Sequence, residues 1–134
     1  MIIYESPYQS VHIDLHKKEL LQVWHPESEN LTEKILENEL KEALHSIIKY
    51  DDAIPYFLLD ACKFQFLITV EKQEWIAIIF FNQLITLKGI KKLAHISPES
   101  MGPEFSLDQV MDDYVLLNSY KCSNIKEARK WFYQ

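Results

Sequence analysis

The first part of the chain alternates between hydrophobic and polar positions. Residues 11–16 alternate strictly between an apolar and a polar side chain, and the apolar pattern resumes over Leu21–Trp24 after a short polar turn. Alternation with a period of two is typical of a half-buried strand. Residues 10–24 therefore predict a β-hairpin that Pro26 ends, and Ile2–Tyr4 fits a further short edge strand.

The next segment has the apolar repeat of a helix. Between Leu31 and Tyr50 an apolar residue recurs at every third or fourth position, with acidic and lysine side chains between. This spacing predicts an amphipathic helix. Asn30 is followed three residues later by Glu33, a pair similar to a capping box, so we place the helix start at Asn30.

A strongly apolar segment stands near the middle of the chain. Tyr56–Ala61 is apolar except for Asp60, which predicts a strand buried on both faces. A second helix, capped by Thr69 and ended by Gly89, should follow it. Lys92–Ser97 then predicts another strand.

The last third continues the alternation of helix and strand. A capping-box pattern predicts a helix over 106–118, Tyr120–Cys122 fits a short strand, and the chain ends in a helix over 124–132. Strands that alternate with helices indicate crossover connections. The expected fold is α/β, with a mixed, largely parallel sheet opened by an N-terminal β-hairpin and flanked by about four helices. At 134 residues we expect a single domain over 1–134.

Composition and charge exclude several functions. The two glycines, Gly89 and Gly102, stand too far apart to build a phosphate-binding loop. The formal net charge is −6 and Arg129 is the only arginine, so we expect no nucleic-acid partner. We also expect no membrane span, because the apolar runs are far shorter than the ~20 residues a span needs. The N-terminus lacks signal-peptide features and Cys62 and Cys122 resemble buried free thiols, which favours a cytoplasmic protein.

One strand of the predicted hairpin carries residues that could ligate a metal. His12 or His16 could share an ion with Asp14, because side chains two apart lie on one face of a strand. A solvated polar strand face has the same pattern. We therefore expect no metal site.

Asp60 and Cys62 are placed at the carboxyl end of the buried strand, where open α/β sheets bind their ligands. His95, on a neighbouring predicted strand, could act as a base for a Cys62 nucleophile. Both residues stand beside apolar neighbours, however, which is more typical of packing. Of the functions considered for this chain, a Cys-dependent enzyme is therefore the one we expect least.

The most unusual segment is Trp75–Phe81, seven consecutive apolar residues inside a predicted helix. At ~3.6 residues per turn they surround the whole helix, so the side that faces away from the sheet also needs cover. We predict a homodimer whose interface includes this helix. The alternative is cover from aromatic residues of the same chain.

An apolar ligand pocket is a second use of the same surface, since such pockets combine aromatic walls with a few polar anchors. Plain core packing is again the alternative. The candidate partner or ligand surface consists of Phe64, Phe66, Gln73, Trp75, Ile79 and Phe80.

Four segments together carry a family resemblance: the hairpin that ends in Val23–Trp24, the strand Phe57–Ala61, the strand Lys92–Ile96 and the closing segment 124–132. In their order and spacing the chain resembles the small bacterial proteins with the fold of anti-sigma-factor antagonists, the STAS or SpoIIAA-like group. Several of those have been grouped with lipid-carrying CRAL-TRIO-like proteins. The resemblance implies a mixed sheet flanked by helices, no bound cofactor, and a role in protein–protein regulation or apolar-ligand binding.

The resemblance also indicates a regulatory position. In the antagonists a phosphorylatable serine follows the central strand, whereas here Ala61 and Cys62 follow Asp60, and the first hydroxyl is that of Thr69. Asp60, Cys62 and Thr69 are the candidate regulatory residues, with a plain N-cap role as the alternative for Thr69. We expect a non-enzymatic regulatory or protein-binding module. The alternative is a carrier or sensor of an apolar, lipid-like ligand.

Overall fold

The computed structural model describes residues 1–98, 110–111, 114–117 and 119–134. A six-stranded sheet lies at its centre, with the strands in sequence order. The strands are β1 (Ile2–Glu5), β2 (Gln9–Asp14), β3 (Glu19–Trp24), β4 (Tyr56–Asp60), β5 (Lys92–Ile96) and β6 (Ser119–Cys122). The pairs β1–β2 and β2–β3 are antiparallel, and the remaining pairs are parallel. The predicted mixed, largely parallel sheet with its opening hairpin is confirmed.

The described part of the chain forms three α-helices, where about four were expected. They are α1 (Glu33–Ile48), α2 (Val70–Ile76, a π-helical turn over Ala77–Phe81, and Asn82–Lys88, all continuous) and α3 (Ile125–Phe132). The predicted helix over 106–118 falls mostly outside the described residues. Within it, Val110 and Met111 are helical and buried.

The start of α1 corrects a prediction. Thr32 caps this helix, and its hydroxyl accepts a hydrogen bond from the Ile35 N–H at 3.1 Å. Asn30 is instead the last residue of a separate 3₁₀ helix, Pro26–Asn30, which precedes α1. A proline at the start of that turn has its φ angle already set for helical backbone, which explains the extra turn.

Three other helix ends agree with the sequence. The Thr69 hydroxyl accepts from the Lys72 N–H at 3.4 Å at the start of α2. The Asn124 side chain accepts from the Glu127 N–H at 2.8 Å at the start of α3. Gly89 ends α2 with φ at 66°, a left-handed conformation that glycine adopts without strain.

The two faces of the sheet belong to different cores. Phe57, Leu59 and Leu93 point to the face covered by α1 and α2, where the main core lies. Leu58 and Ala94 point to the opposite face and pack in a second core with α3. Because β3 to β6 follow one another in one direction, right-handed crossovers place α1 and α2 on a common face. Helix α3 follows the last strand and returns over the other face.

Helix α3 runs from the carboxyl ends of the parallel strands back to their amino ends. Phe132, at its end, stacks on Tyr56 at the start of β4, with ring centroids 5.1 Å apart. Lys92, at the start of β5, donates to the backbone carbonyls of Trp131 and Phe132 at 3.0 and 3.2 Å. This cation satisfies the carbonyl end of the helix. The first residue of α3 therefore lies at the carboxyl ends of the strands.

A buried carboxylate also fixes α3 on the sheet. Glu19 of β3 is 3% exposed and accepts hydrogen bonds from Arg129 Nε and from the Tyr133 hydroxyl, both at 3.0 Å. Burial, followed by the contact with Glu19, raises the pKa of Tyr133 to about 12. The hydroxyl therefore keeps its proton and donates to Glu19 at neutral pH.

Helix α2 hides most of the apolar run within its own chain. Ile76, Ala77, Phe80 and Phe81 are at most 1% exposed, the flanking Trp75 and Ile79 are half-buried, and Ile78 is 50% exposed. At about 100° per residue the four buried side chains form one stripe, and Ile78 points away from it. The chain itself covers Ile76, Ala77, Phe80 and Phe81, so these four side chains need no second subunit, whereas Ile78 is exposed and Trp75 and Ile79 are only half-buried. The homodimer stays a prediction.

Candidate functional site

A cavity of about 700 Å³ opens at the carboxyl ends of β4, β5 and β6. Asp60, Ile96 and Cys122 lie side by side there, because they are matched in register across the three strands. The cavity is lined by Asp60, Cys62, residues 96–98 and residues 121–126. The last range contains the first turn of α3, so the cavity lies between the sheet and the start of that helix. We call it the carboxyl-end cavity.

The polar groups of the carboxyl-end cavity have different depths. Asp60 is half-buried, and its Oδ1 accepts a hydrogen bond from the Cys62 N–H at 3.2 Å, which turns the chain out of β4. Lys126, in the first turn of α3, lines the cavity and is exposed, whereas Lys121 alternates with Cys122 along β6, so its side chain points to the opposite face of the sheet. The less exposed part of the cavity therefore carries an acid, and its more exposed part carries one cation.

Apolar side chains form much of the remaining wall. Ile96 is 7% exposed, while Pro98 and Ile125 are half-buried. A cavity with apolar walls and a few placed polar groups is the usual form of a small-molecule site, and its volume lies within the ordinary range of such sites.

Cys122 is a buried thiol of low reactivity. Its side chain is 6% exposed, and Sγ lies 3.6 Å from the His95 carbonyl oxygen. Burial, followed by the nearby Glu127 carboxylate, raises the pKa of Cys122 to about 11. The thiolate is the reactive form of cysteine. At neutral pH Cys122 therefore contributes a small, weakly polar surface to the cavity rather than a nucleophile.

We expect iodoacetamide at pH 8 to alkylate Cys122 roughly a hundredfold more slowly than it alkylates a cysteine in an unstructured peptide, because the raised pKa lowers the thiolate fraction by about that factor. The measurement is mass-spectrometric labelling of a Cys62→Ala variant, so that one thiol is followed. The same variant in urea should react at the peptide rate. Equal rates in buffer and in urea would contradict the buried, protonated thiol.

Cys62 and His95 do not share a site. Cys62 lines the carboxyl-end cavity, and His95 is not among the described residues that line it. Along β5 His95 alternates with Ala94 and Ile96, so its ring points to the opposite face of the sheet. It is 3% exposed there. Cys62 packs against the second core, so the two side chains lie on opposite faces of the sheet.

Three residues of the predicted partner or ligand surface are core residues. Phe64 packs edge-to-face on Trp24 with centroids 5.1 Å apart, and Phe80 packs likewise on Phe57 at 6.4 Å. Both are 0% exposed, and Gln73 is 1% exposed. These three side chains are covered within the chain, because both the segment after β4 and helix α2 fold against the main core, and their role in binding stays a prediction.

The other three residues of that surface remain partly accessible. Phe66, Trp75 and Ile79 are half-buried. The amino groups of Lys72 and Lys41 lie 4.9 and 5.8 Å from the centre of the Trp75 ring, a cation–π arrangement. These residues lie outside the carboxyl-end cavity.

The candidate regulatory residues are separated. Asp60 and Cys62 line the carboxyl-end cavity, whereas Thr69 lies outside it as the exposed N-cap of α2. The Thr69 hydroxyl is 3.5 Å from the Glu33 carboxylate. A phosphate on Thr69 would be repelled by that neighbour.

The hairpin residues considered for a metal have structural roles. Asp14 Oδ1 accepts from the N–H groups of His16 and Lys17, both at 3.0 Å, and so closes the β2–β3 turn. His12 Nε2 lies 3.0 Å from the Ser10 hydroxyl. In the ranges that the structure covers, no three His, Cys, Asp or Glu side chains are grouped so that they could hold a metal ion.

The sequence predicts only one wall of the carboxyl-end cavity. It places Asp60 and Cys62 at a strand end where ligands bind, but it does not indicate residues 121–126 as part of a site. The available signal was Asn124, a helix cap directly after β6. A helix that begins after a parallel strand begins at the carboxyl edge of the sheet, where ligands bind.

No family model matches this chain, and neither a curated protein nor a solved structure matches it. None of the helices in the described ranges is long and apolar enough to cross a membrane.

Proposed function

We propose that this chain is a non-enzymatic binding module that takes up a small organic ligand in the carboxyl-end cavity. The observation that carries the proposal is the cavity itself, about 700 Å³ at the carboxyl ends of three parallel strands. Open α/β sheets bind ligands at this edge. The role corresponds to the carrier or sensor expected as the alternative function. The ligand site we propose, however, is the carboxyl-end cavity and not the predicted surface in and before α2.

The chemistry of the lining supports binding without catalysis. The Cys122 thiol is protonated at neutral pH because burial raises its pKa to about 11. The only histidine of β5, His95, points away from the cavity. The strand order, with an antiparallel opening and sequential parallel strands, supports the STAS-like resemblance. Cys62 and Cys122 are not joined by a disulfide, as is usual in the reducing cytoplasm, which is the location we propose.

The proposal is tested by thermal-shift screening of a small-molecule library against the full chain. Ligands that bind the folded protein but not the unfolded chain raise the melting temperature. We expect a subset of compounds to do so, and we expect Ser123→Phe to abolish their effect, because Ser123 lines the cavity and the ring would occupy it.

The matched control is Thr86→Phe, which adds the same ring at an exposed position of α2 outside the cavity. This variant should respond to the ligands as the wild type does. If no compound raises the melting temperature, or if Ser123→Phe responds like Thr86→Phe, the carboxyl-end cavity is not the binding site.

A second candidate is the regulatory protein-binding role, including the homodimer. The observation that favours it is the exposure of apolar side chains in α2 and just before it. Val70 and Ile78 are 61% and 50% exposed, and Leu67, two residues before the Thr69 cap, is 60% exposed. Val70 and Ile78 are eight residues apart and share one side of the helix. Light scattering at micromolar concentration tests the homodimer: a dimer mass that Ile78→Asp reduces to a monomer mass would support it, and a monomer mass for the wild type would contradict it.

A further inference from the structure

We infer that the carboxyl-end cavity binds a zwitterion, a molecule with an ammonium group at one end, a carboxylate at the other and an apolar carbon skeleton between them. This inference rests on the proposed function and names the chemical class of its ligand. It follows from the positions of the charged and apolar groups that line the cavity.

The inner charge of the cavity is negative. Asp60 is half-buried and is the only acidic side chain among the described lining residues. A carboxylate has capacity for about four hydrogen bonds, and the Cys62 N–H uses one of them at 3.2 Å. A ligand that covers Asp60 removes water from it, which is costly unless the ligand supplies a cation or a strong donor. An ammonium group supplies both.

The outer charge is positive. Lys126 lines the cavity and is exposed there, in a chain whose formal net charge is −6. Lys126 stands in the first turn of α3, where a cation is unfavourable because the N-terminal end of a helix is itself positive. A ligand carboxylate at the rim would compensate the lysine charge and this unfavourable placement together.

The middle of the cavity is apolar. Ile96 lies between Asp60 of β4 and Cys122 of β6, and Pro98 and Ile125 also line the cavity. A purely anionic ligand would cover Asp60 without giving it a cationic partner, and a purely cationic ligand would bring a like charge to Lys126. The zwitterion with an apolar skeleton satisfies all three parts of the lining.

The test compares three linear probes of similar length by titration calorimetry: 6-aminohexanoate, which has both charges, hexanoate, which has only the acid, and hexylamine, which has only the amine. The zwitterion should bind the full chain at least about tenfold more tightly than either singly charged probe, since each charge–charge contact contributes a factor of this order.

Two variants assign the contacts. Asp60→Asn keeps an oxygen that can accept from the Cys62 N–H and removes the charge. It should weaken 6-aminohexanoate and hexylamine about tenfold and leave hexanoate unchanged. Lys126→Gln should weaken 6-aminohexanoate and hexanoate and leave hexylamine unchanged. Asp51→Asn and Lys130→Gln make the same charge changes at exposed positions outside the cavity and should alter none of the three affinities.

The failures of the two proposals are distinguishable. If hexanoate binds as tightly as 6-aminohexanoate and Asp60→Asn has no effect, the ligand is a simple anion, the zwitterion is wrong and the cavity remains a binding site. If none of the probes binds while compounds from the thermal-shift screen still depend on Ser123, the zwitterion is again wrong. If neither the probes nor the library compounds depend on cavity residues, both proposals fail.

Discussion

Replacing Phe80 by alanine is expected to lower the free energy of unfolding by about 4 kcal/mol, the usual cost of removing a fully buried phenylalanine and leaving a void. Phe80 is 0% exposed and contacts the rings of Phe57 and Phe81, with centroids 6.4 and 5.0 Å away. It lies in the π-helical turn of α2 and joins that turn to the sheet. Urea unfolding followed by tryptophan fluorescence, to which the buried Trp24 contributes, measures the change.

The matched control is Ile78→Ala, two residues earlier in the same turn. Ile78 is 50% exposed, so its truncation should cost about 1 kcal/mol or less. The comparison of the two variants shows whether the apolar run over Trp75–Phe81 acts mainly as core of its own chain or as a subunit interface. A larger loss for Ile78→Ala than for Phe80→Ala, at a concentration where the protein is a dimer, would mean that the exposed side of α2 is the interface after all.

Replacing Glu39 by leucine is expected to cost about 3 kcal/mol, because the half-buried hydroxyls of Tyr4 and Ser6 lose a charged acceptor and the buried Gln9 amide keeps only the Glu39 backbone carbonyl. Glu39 of α1 is 5% exposed. Its carboxylate accepts from the Ser6 hydroxyl at 2.6 Å, the Tyr4 hydroxyl at 2.8 Å and Gln9 Nε2 at 3.1 Å. Burial, followed by the hydrogen bond to Glu39, raises the pKa of Tyr4 far above its usual value, so this hydroxyl remains a donor.

The control for Glu39 is Glu42→Leu, the same substitution on the same helix at an exposed position. It should change the free energy of unfolding by less than about 0.5 kcal/mol. Glu39→Gln keeps one acceptor oxygen and should cost about half as much as Glu39→Leu. A Glu39→Leu protein as stable as the wild type would show that the hydrogen bonds between α1 and the hairpin contribute nothing to stability.

The hairpin could be predicted from the sequence because its signal is local. A side chain on a strand points to one face or the other with a period of two, so Val11 and Ile13 had to share a face. Both are buried in the main core, at 0% and 1% exposed. Leu15 fits the same alternation but lies in the turn beyond β2 and is 44% exposed, because the strand ends at Asp14. Periodicity alone does not show where a strand stops.

The environment of α2 could not be predicted from its own residues. Seven apolar residues in a row do surround a helix, but how much of that circumference is covered depends on α1, on the sheet and on the segment after β4. Trp75 is covered in part by Lys41 of α1, a contact between residues far apart in sequence. The chain leaves Ile78 exposed and Trp75 and Ile79 half-buried.

Only one wall of the carboxyl-end cavity could be predicted, because the other depends on contacts between residues far apart in sequence. Asp60 was placed at the carboxyl end of a buried strand by pattern alone, and the structure puts it in the cavity. The opposite wall depends on the path of α3, which is set by the stacking of Phe132 on Tyr56 and by the hydrogen bonds from Lys92. Those contacts hold the end of α3 at the amino ends of β4 and β5, between residues far apart in sequence, and no local pattern indicates them.

Amide chemical shifts of the isotope-labelled full chain, recorded while 6-aminohexanoate or a compound from the thermal-shift screen is added, test most directly whether the carboxyl-end cavity is the functional site. The largest changes are expected at residues 60–62, 96–98 and 121–126, which surround the cavity. Changes concentrated instead on the exposed side of α2, around Val70 and Ile78, or spread evenly over the surface, would contradict it.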